Sequence, residues 1–337
     1  MNDLSGIDRP NSYIGRSVER PNAARLARGR GRFVDDIELP RLAHVAFARS
    51  PHAHAVVKSV ETGGAAAVTG VIRVVTMEDL ADYCTPWVGV LDHLKGIKSA
   101  EQWPLANGKV FSQGEPVVAV VATSRAIAED AVELVEVAYE ALDPHVDPEA
   151  SLAHGATPIH AELGDNLCFE RKVEAGDVDG AFAGAAHVVE AEMRFNRHTG
   201  VTLEPRSIIC DFDASQRALT LYMSVQCPHM SKNLFAKHLN LDENKVRVIC
   251  GDIGGSFGIK IHTYADEMTA AALAVMLERP VKFVADRLES FVTDIHARDH
   301  VAKARMAVDG DGRITAFDLD DLTGIGPFSV YPRTSGI

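Results

Sequence analysis

A glycine-rich loop between a strand and a helix constrains this chain more than any other feature. The stretch KVRVICGDIGGSFGIKIHTYADEMTAAALAVM, residues 245–276, places a β-favouring segment before four glycines and an apolar-periodic helix after them. Such a loop can bring backbone N–H groups close to an anion, because glycine has no Cβ to hold a ligand away. The alternative is that the glycines only form a tight turn between a buried strand and a buried helix.

The spacing of the loop weakens both common nucleotide interpretations. A dinucleotide fingerprint needs glycines at i, i+2 and i+5, and the four glycines of this loop do not have that spacing. A P-loop needs Gly-Lys followed by Ser or Thr, whereas Lys260 follows Ile259 and precedes Ile261. The loop therefore predicts an anion site without identifying the anion.

Composition limits the classes of function. The chain has 337 residues, of which 46% are hydrophobic, which is enough for two or three domains with a large core. Its formal net charge of −13 argues against binding to nucleic acid or to an anionic membrane, since both need a basic face. The sequence contains no run of 18 apolar residues and begins with a polar stretch, so we expect a cytoplasmic protein.

The cysteines argue against a metal centre held by thiolates. They are widely spaced, contain no C-x-x-C pair and number five: Cys84, Cys168, Cys210, Cys227 and Cys250. This pattern excludes a locally spaced zinc or iron–sulfur site and fits reduced thiols. We therefore predict that a redox centre, if this chain has one, is not held by a cysteine motif.

The chain is predicted to be an α+β protein of two main parts. An N-terminal arm, residues 1–19, precedes a separate α+β domain over residues 20–146. A linker rich in proline and polar residues follows at 147–164. The remainder, residues 165–337, mixes sheets with two or three helices.

Within the first domain, PVVAVVA is predicted to be a central strand and VEVAYEAL to end in an edge strand. The intervening helix has Ser124 as its predicted N-cap. We expect this helix to pack on the central strand through four apolar residues, Ile127, Ala131, Leu134 and Val135.

Three groups of polar residues stand out in the second part. Glu204 and Arg206 flank a proline before an apolar strand, and Gln226 lies where a strand meets a helix. His296 and His300 lie close together in FVTDIHARDHVAK. Each group also has an ordinary interpretation. Glu204 and Arg206 would form a surface ion pair, Gln226 would cap the helix, and the two histidines would occupy alternate faces of a strand.

Six blocks, taken in order, carry a resemblance to a known family. They are GRGRFVDDIELPRLAHVAFARSPHAHA, GEPVVAVVATSRAIAEDAVELVEVAYEAL, LEPRS, SVQCPHMSKNLFAKHL, VRVICGDIGGSFGIK and DRLESFVTDIHARDHV. In sequence and spacing the chain resembles, from about residue 17 onward, the molybdopterin-binding large subunit of the xanthine dehydrogenase, aldehyde oxidase and aerobic carbon monoxide dehydrogenase family. The resemblance implies a hammerhead-like α/β domain followed by the first part of a molybdopterin-binding domain.

The resemblance also implies what the glycine loop holds. The loop would bind a molybdenum–molybdopterin cofactor, for which the cytosine dinucleotide form is one candidate. Gly254, Gly255, Phe257 and Gly258 would line the cofactor, and Gln226 would donate its amide N–H to an oxo ligand of the metal. Gln226 and Phe257 would be the catalytic residues, with the metal held by the cofactor and not by protein side chains.

The reaction implied by the resemblance is an oxidative hydroxylation that uses water as the oxygen source, or the oxidation of carbon monoxide. Its electrons would leave through iron–sulfur clusters and FAD on partner subunits. Aldehydes, N-heterocycles and related small molecules are the expected substrates. Ile261 stands where purine-oxidising relatives carry a substrate-binding glutamate, so a less polar substrate than a purine is expected.

Large subunits of this family continue far beyond the length of this chain and carry a general-base glutamate in that continuation. The resemblance therefore implies a further polypeptide bearing the C-terminal half, and no hydroxylase turnover by this chain alone. Glu204 is not expected to replace the base, because its position in the family is structural. The alternative is a non-catalytic remnant or cofactor-handling protein that keeps the fold.

Overall fold

The structure is a computed structural model that describes residues 13, 17–89 and 95–329. In chain order its strands are β1 (Ala43–Arg49), β2 (Ala55–Glu61), β3 (Val71–Val75), β4 (Lys109–Val110), β5 (Pro116–Ala122), β6 (Glu136–Ala141), β7 (His187–Phe195), β8 (Ser207–Asp213), β9 (Ala218–Met223), β10 (Val246–Ile249), β11 (Val281–Val284), β12 (His300–Val308) and β13 (Ile314–Thr323).

The α-helices of the described residues are interspersed among these strands. They are α1 (Ala23–Ala27), α2 (Gly63–Ala66), α3 (Met77–Leu80), α4 (Arg125–Val132), α5 (Pro148–Ser151), α6 (Val178–Ala183), α7 (Pro228–His238), α8 (Ala265–Leu277) and α9 (Arg287–Thr293). None of these helices is long and apolar enough to cross a membrane. Most of the predicted N-terminal arm, and residues 330–337 of the second part, lie outside the described residues.

The largest sheet joins the two parts of the chain. Its strand order is β10-β9-β8-β11-β1-β5-β3, and β1 runs parallel to β11 with Ala43 opposite Val281. The rings of Phe47 and Phe283 meet edge to face across this junction, with centroids 5.2 Å apart. Strands from both predicted domains therefore pair within one sheet, although residues 143–165 connect the two parts along the chain. The composition of the linker indicates a surface connection, and it carries no information about strands that pair at long range.

The predicted strand and helix of the first part are present with one correction. Strand β5 is buried along its whole length, and Ser124 caps α4 by accepting a hydrogen bond from the Ile127 N–H at 3.3 Å. Ala128 and Ala131 are the buried residues of this helix. Leu134 is 49% exposed, so its predicted packing is wrong, because α4 ends at Val132 before the chain turns into β6. Strand β6 lies at the edge of a three-stranded sheet ordered β4-β2-β6, as predicted.

A strand–helix–strand unit positions the glycine loop. Strands β9 and β10 are parallel neighbours, and α7 connects them. The ends of two neighbouring parallel strands lie at the same edge of a sheet. Gln226 follows β9 and the loop of residues 251–258 follows β10, so the topology brings both to one edge. A third sheet, ordered β13-β12-β7, completes the second part.

Candidate cofactor site

The loop after β10 has the backbone geometry of an anion cradle. Gly255, Phe257 and Gly258 have φ values of 99°, 51° and 92°, so the chain repeatedly enters the left-handed region. Among the described residues, the backbone N–H groups of Gly255, Ser256 and Phe257 have no hydrogen-bond acceptor. The Ser256 hydroxyl is buried and also lacks a partner within the described chain. Successive N–H groups in such a turn form a concave donor surface that suits an anion.

Two glycines of the loop are required for different reasons. A Cβ at position 254 would lie 2.5 Å from the Cβ of Glu204, so only glycine allows the loop to pack on residue 204. A Cβ at position 255 would lie 3.1 Å from Cε2 of Phe257, at a φ that L-residues rarely adopt. The loop therefore has both a packed side and an open side.

Gln226 lies beside this loop in space. Its backbone N–H donates to the carbonyl of Lys260 at 2.8 Å. Its side-chain Oε1 accepts the backbone N–H of Gly258 at 3.1 Å, across 32 positions of sequence. Because that N–H can only face the oxygen, the amide orientation is fixed and the Nε2 group is left as a donor. The described residues offer this donor no acceptor.

Phe257 projects from the loop and is 77% exposed. Its backbone φ of 51° is unusual for a bulky residue, and such conformations persist only where the surroundings enforce them. Gly200 provides room beneath the side chain, since a Cβ at position 200 would lie 2.9 Å from the Cβ of Phe257. An apolar ring is thus presented beside three free N–H donors.

Glu204 and Arg206 do not form a surface pair, so that ordinary interpretation is wrong. Oε2 of Glu204 accepts hydrogen bonds from the Ser224 hydroxyl at 2.8 Å, the Gly254 N–H at 2.7 Å and the Lys260 ammonium at 3.0 Å. Lys260 is buried, and burial lowers the pKa of its ammonium while Glu204 opposes that shift. Glu204 thus contacts Gly254 inside the glycine loop and Lys260 just after it.

Arg206 bonds a different set of residues and is fully buried, with 0% exposure. It makes a two-point contact with Asp266 at 2.7 and 2.9 Å and a bond to Asp294 at 2.7 Å. Its guanidinium carbon lies 3.7 Å from the ring centroid of Tyr264. These bonds tie the start of α8 to the residue that follows α9. The helix behind the glycine loop is therefore anchored at its first turn.

The two carboxylates of that first turn titrate differently. Burial would raise the pKa of Asp266, but the charges and hydrogen bonds of Arg206 and Arg49 outweigh it and lower that pKa to about 2. For Glu267 burial dominates and raises the pKa to about 8, even though Arg206 opposes the shift. One carboxylate of the cluster is thus charged at neutral pH and its neighbour is protonated.

This difference predicts an effect of pH on stability. Between about pH 4.5 and 8 the unfolded chain ionises Glu267 while the folded chain keeps it protonated, so stability falls by up to about 1.4 kcal/mol per pH unit. Replacing Glu267 with glutamine should remove its contribution to this slope, leaving the variant near wild type at pH 5 and more stable at pH 8. Urea unfolding across this range measures the slope. Glu129→Gln, at an exposed position of α4, is the control, and an unchanged slope in Glu267→Gln would contradict the prediction.

The histidines lie apart from this site. Nδ1 of His300, at the start of β12, lies 3.0 Å from a carboxylate oxygen of Asp321, and Nε2 of His296 lies 3.2 Å from the carbonyl of Phe291. Of these two histidines only His300 lies in a strand, so the interpretation that they occupy two faces of one strand is wrong. The described residues contain no group of three or more His, Cys, Asp or Glu side chains that could hold a metal ion.

Sequence reasoning missed the buried acids of this region. Asp266 and Glu267 open a helix that is otherwise almost wholly apolar, and this was the available signal. Two adjacent acids at a helix start fit an exposed first turn equally well, since negative charge is favoured there. Burial could be inferred only with knowledge of the partner arginine.

The chain matches the models of two known domain families. Residues 159–335 match the family model described as the molybdopterin cofactor-binding domain. Residues 28–143 match the aldehyde oxidase and xanthine dehydrogenase a/b hammerhead domain. The chain belongs to this family of molybdopterin-binding proteins, and the predicted order of a hammerhead-like domain followed by part of a molybdopterin-binding domain is confirmed.

Several characterised proteins are similar to this chain. The nicotine 6-hydroxylase large subunit of Paenarthrobacter nicotinovorans is 34% identical over 339 residues, which cover 98% of this chain and 41% of the relative. The carbon monoxide dehydrogenase large chain of Afipia carboxidovorans is 33% identical, covering 94% of this chain and 40% of the relative. The crystal structure of quinoline 2-oxidoreductase from Pseudomonas putida 86 matches with a TM-score of 0.91 at 33% identity, covering 95% of this chain and 41% of that one. The chain thus spans about two fifths of the length of these relatives.

Proposed function

We propose that this chain is the cofactor-binding segment of a molybdenum hydroxylase large subunit and that it holds a molybdenum–molybdopterin cofactor at the glycine loop. The observation that carries the proposal is the set of free donors at one sheet edge, namely the N–H groups of Gly255, Ser256 and Phe257 and the Nε2 group of Gln226. An anionic cofactor with oxo and phosphate oxygens fits this donor set. When bound, the cofactor supplies the oxidative hydroxylation chemistry.

Each residue of the site has its own task in this proposal. The backbone around Gly254, Gly255 and Gly258 allows close approach by the cofactor, with the loop N–H groups donating to its oxygens. Gln226 donates from an amide that does not titrate, so its hydrogen bond is independent of pH. Phe257 places an apolar ring beside these donors, where it excludes water and presents a flat face to a substrate.

The substrate and the partners follow from chemistry and from the relatives. Two relatives carry N-heterocycles in their names, nicotine and quinoline, and a third is named for carbon monoxide. We propose a small, weakly polar substrate, with an N-heterocycle first and an aldehyde or carbon monoxide as the other candidates. Ile261 supports this choice because it offers no carboxylate for a purine. The assembly would include iron–sulfur and FAD subunits.

Cofactor analysis tests the proposal directly. The chain is produced together with the products of its adjacent reading frames, and the purified complex is assayed for molybdenum and for the pterin, including its cytosine dinucleotide form. We expect about one molybdenum and one pterin per chain. Production in a host that cannot make molybdopterin is the control. A complex that contains no molybdenum and no pterin from a competent host would overturn the proposal.

Gln226→Ala separates tuning of the cofactor from its retention. We expect activity of the complete assembly to fall by about 10- to 100-fold, the usual cost of losing a group that hydrogen-bonds around a metal centre. Molybdenum and pterin content should change little, because the backbone donors remain. Gln216→Ala, in the turn between β8 and β9, is the matched control. Equal losses of activity and cofactor would show that Gln226 holds the cofactor and does not tune it.

A further inference from the structure

The carboxylate of Glu204 lies at the centre of the contacts that shape the candidate site. Its side chain is only 12% exposed, and one oxygen, Oε2, receives all three of its hydrogen bonds. The other oxygen, Oε1, is buried and has no partner among the described residues. Three protein donors on one oxygen take the place of the water that would serve a surface carboxylate.

Residue 204 holds the first half of the loop from two sides. Its backbone N–H donates to the carbonyl of Gly254 at 3.1 Å, and its carboxylate accepts the N–H of the same glycine. The absent side chain at position 254 permits this approach, since a Cβ there would meet the Cβ of Glu204 at 2.5 Å. The position of Gly254 is thus set by Glu204 in two directions.

The same carboxylate is connected to Gln226 through Lys260 and Ser224. The ammonium of Lys260 bonds Glu204, and the carbonyl of Lys260 accepts the backbone N–H of Gln226. Ser224 bonds Glu204 from a position two residues before Gln226. Gln226 in turn accepts the N–H of Gly258, so the contacts form a closed ring.

We propose that Glu204 is a positioning residue that sets the distance between the Gln226 amide and the free N–H groups of the loop. This inference rests on the proposed function, because it assigns Glu204 a role towards the group that those donors would bind. In this role Glu204 acts through its bonds to Gly254, Lys260 and Ser224.

A carboxylate of this length is required at position 204. Lys260 is fully buried and needs a negative partner, because a buried charge without one is strongly unfavourable. Asp266 and Asp294 cannot take this place, since both bond Arg206. Glutamine at position 204 would lack the charge, and aspartate would be one methylene too short to bond both Gly254 and Lys260.

Amide hydrogen exchange, resolved by residue on the full chain, tests the proposal without any cofactor. In Glu204→Gln we expect the Gly254 amide to exchange about tenfold faster or more, because it loses a bond to a charged acceptor. The Gly258 amide should also accelerate by about tenfold, although it does not touch Glu204. Acceleration at Gly254 alone would overturn the proposal, since Glu204 would then act only locally.

Two further variants separate positioning from general loss of structure. Glu115→Gln is the matched control, because Glu115 also accepts a backbone N–H, that of Phe111 at 2.7 Å, but lies in the segment before β5. It should leave the Gly258 amide unchanged. If Glu204→Gln accelerates exchange throughout β5 and so reports global unfolding, Ser224→Ala decides the question. This milder change removes one of the three bonds and should accelerate Gly258 about threefold while β5 stays protected, and an unchanged Gly258 amide would overturn the proposal.

A spectroscopic measurement on the molybdenum-loaded assembly links the residue to the cofactor. Glu204→Gln should shift the molybdenum(V) paramagnetic resonance spectrum in the same direction as Gln226→Ala, whereas Glu115→Gln should match wild type. A spectrum unchanged in Glu204→Gln but changed in Gln226→Ala would overturn the positioning role. Absence of molybdenum from the wild-type assembly would instead refute the proposed function, and the exchange experiment would still decide whether Glu204 organises the loop.

Discussion

Replacing Arg206 with leucine should lower the free energy of unfolding by about 3–5 kcal/mol, the usual cost of removing one partner from a buried ionic cluster. The change leaves the buried carboxylate of Asp294 without its cation and Asp266 with Arg49 alone, and it removes the contact with the Tyr264 ring. Urea unfolding of the chain at pH 7 measures the loss as a lower midpoint with an unchanged slope. Arg206→Lys should be intermediate, since an ammonium keeps the charge but cannot make the two-point contact.

Two sets of variants serve as controls for Arg206→Leu. Arg305→Leu removes a cation on β12 from an exposed pair with Asp318 of β13 and should leave the unfolding midpoint unchanged. Asp266→Asn and Asp294→Asn, added together to Arg206→Leu, should restore part of the lost stability, because neutral amides no longer need the guanidinium. No recovery in the triple variant would show that the loss arises from a cavity and not from unpaired charge.

Gly255→Val should abolish retention of molybdenum and pterin by the complete assembly. Valine at a φ of 99° is strained, and its Cβ would lie 3.1 Å from the Phe257 ring, so both the loop backbone and the ring must move. The branched methyl groups would also occupy the space beside the free N–H donors. Metal and pterin content per chain measures the effect, which we expect to be a complete loss.

The control for Gly255→Val is another glycine-to-valine change in a turn. Gly310 lies between β12 and β13, and a Cβ there would meet nothing within 4 Å. Gly310→Val should keep its cofactor. Gly255→Ala should retain part of its cofactor, because it adds the Cβ without the branch. Full molybdenum content in Gly255→Val would mean that the loop is only a turn.

The parts of the structure that could be predicted from sequence depend on local patterns. The strand, the glycine loop and the helix follow one another directly, and the helix between β9 and β10 indicated that both strand ends reach one edge. The proximity of Gln226 to Gly258 followed from that topology, whereas their role in binding a cofactor remains a prediction. The order of the two family domains followed from six sequence blocks.

The parts that could not be predicted depend on partners distant in sequence. Arg206 and Asp266 are separated by 60 positions, and nothing local shows that either is buried. Glu204 and Arg206 are close in sequence and opposite in charge, yet each bonds a different residue across the core. The apolar pattern predicts that α4 packs through Leu134, but the helix ends at Val132 and Leu134 is exposed. The apolar periodicity continues into the turn after the helix and so does not mark its end.

The place of β11 in the large sheet has a consequence for biosynthesis. This strand lies between β8 and β1, so it is the direct link between the three strands β10-β9-β8 and the three strands β1-β5-β3. It spans only Val281–Val284, and a ribosome adding 5–20 residues per second reaches it roughly 10–50 s after completing β1. Until then β1 and β8 each present an open edge, which is the kind of surface that pairs with other chains. The nascent protein is therefore expected to depend on chaperone protection during this interval, and to bury both edges in one late step when β11 emerges.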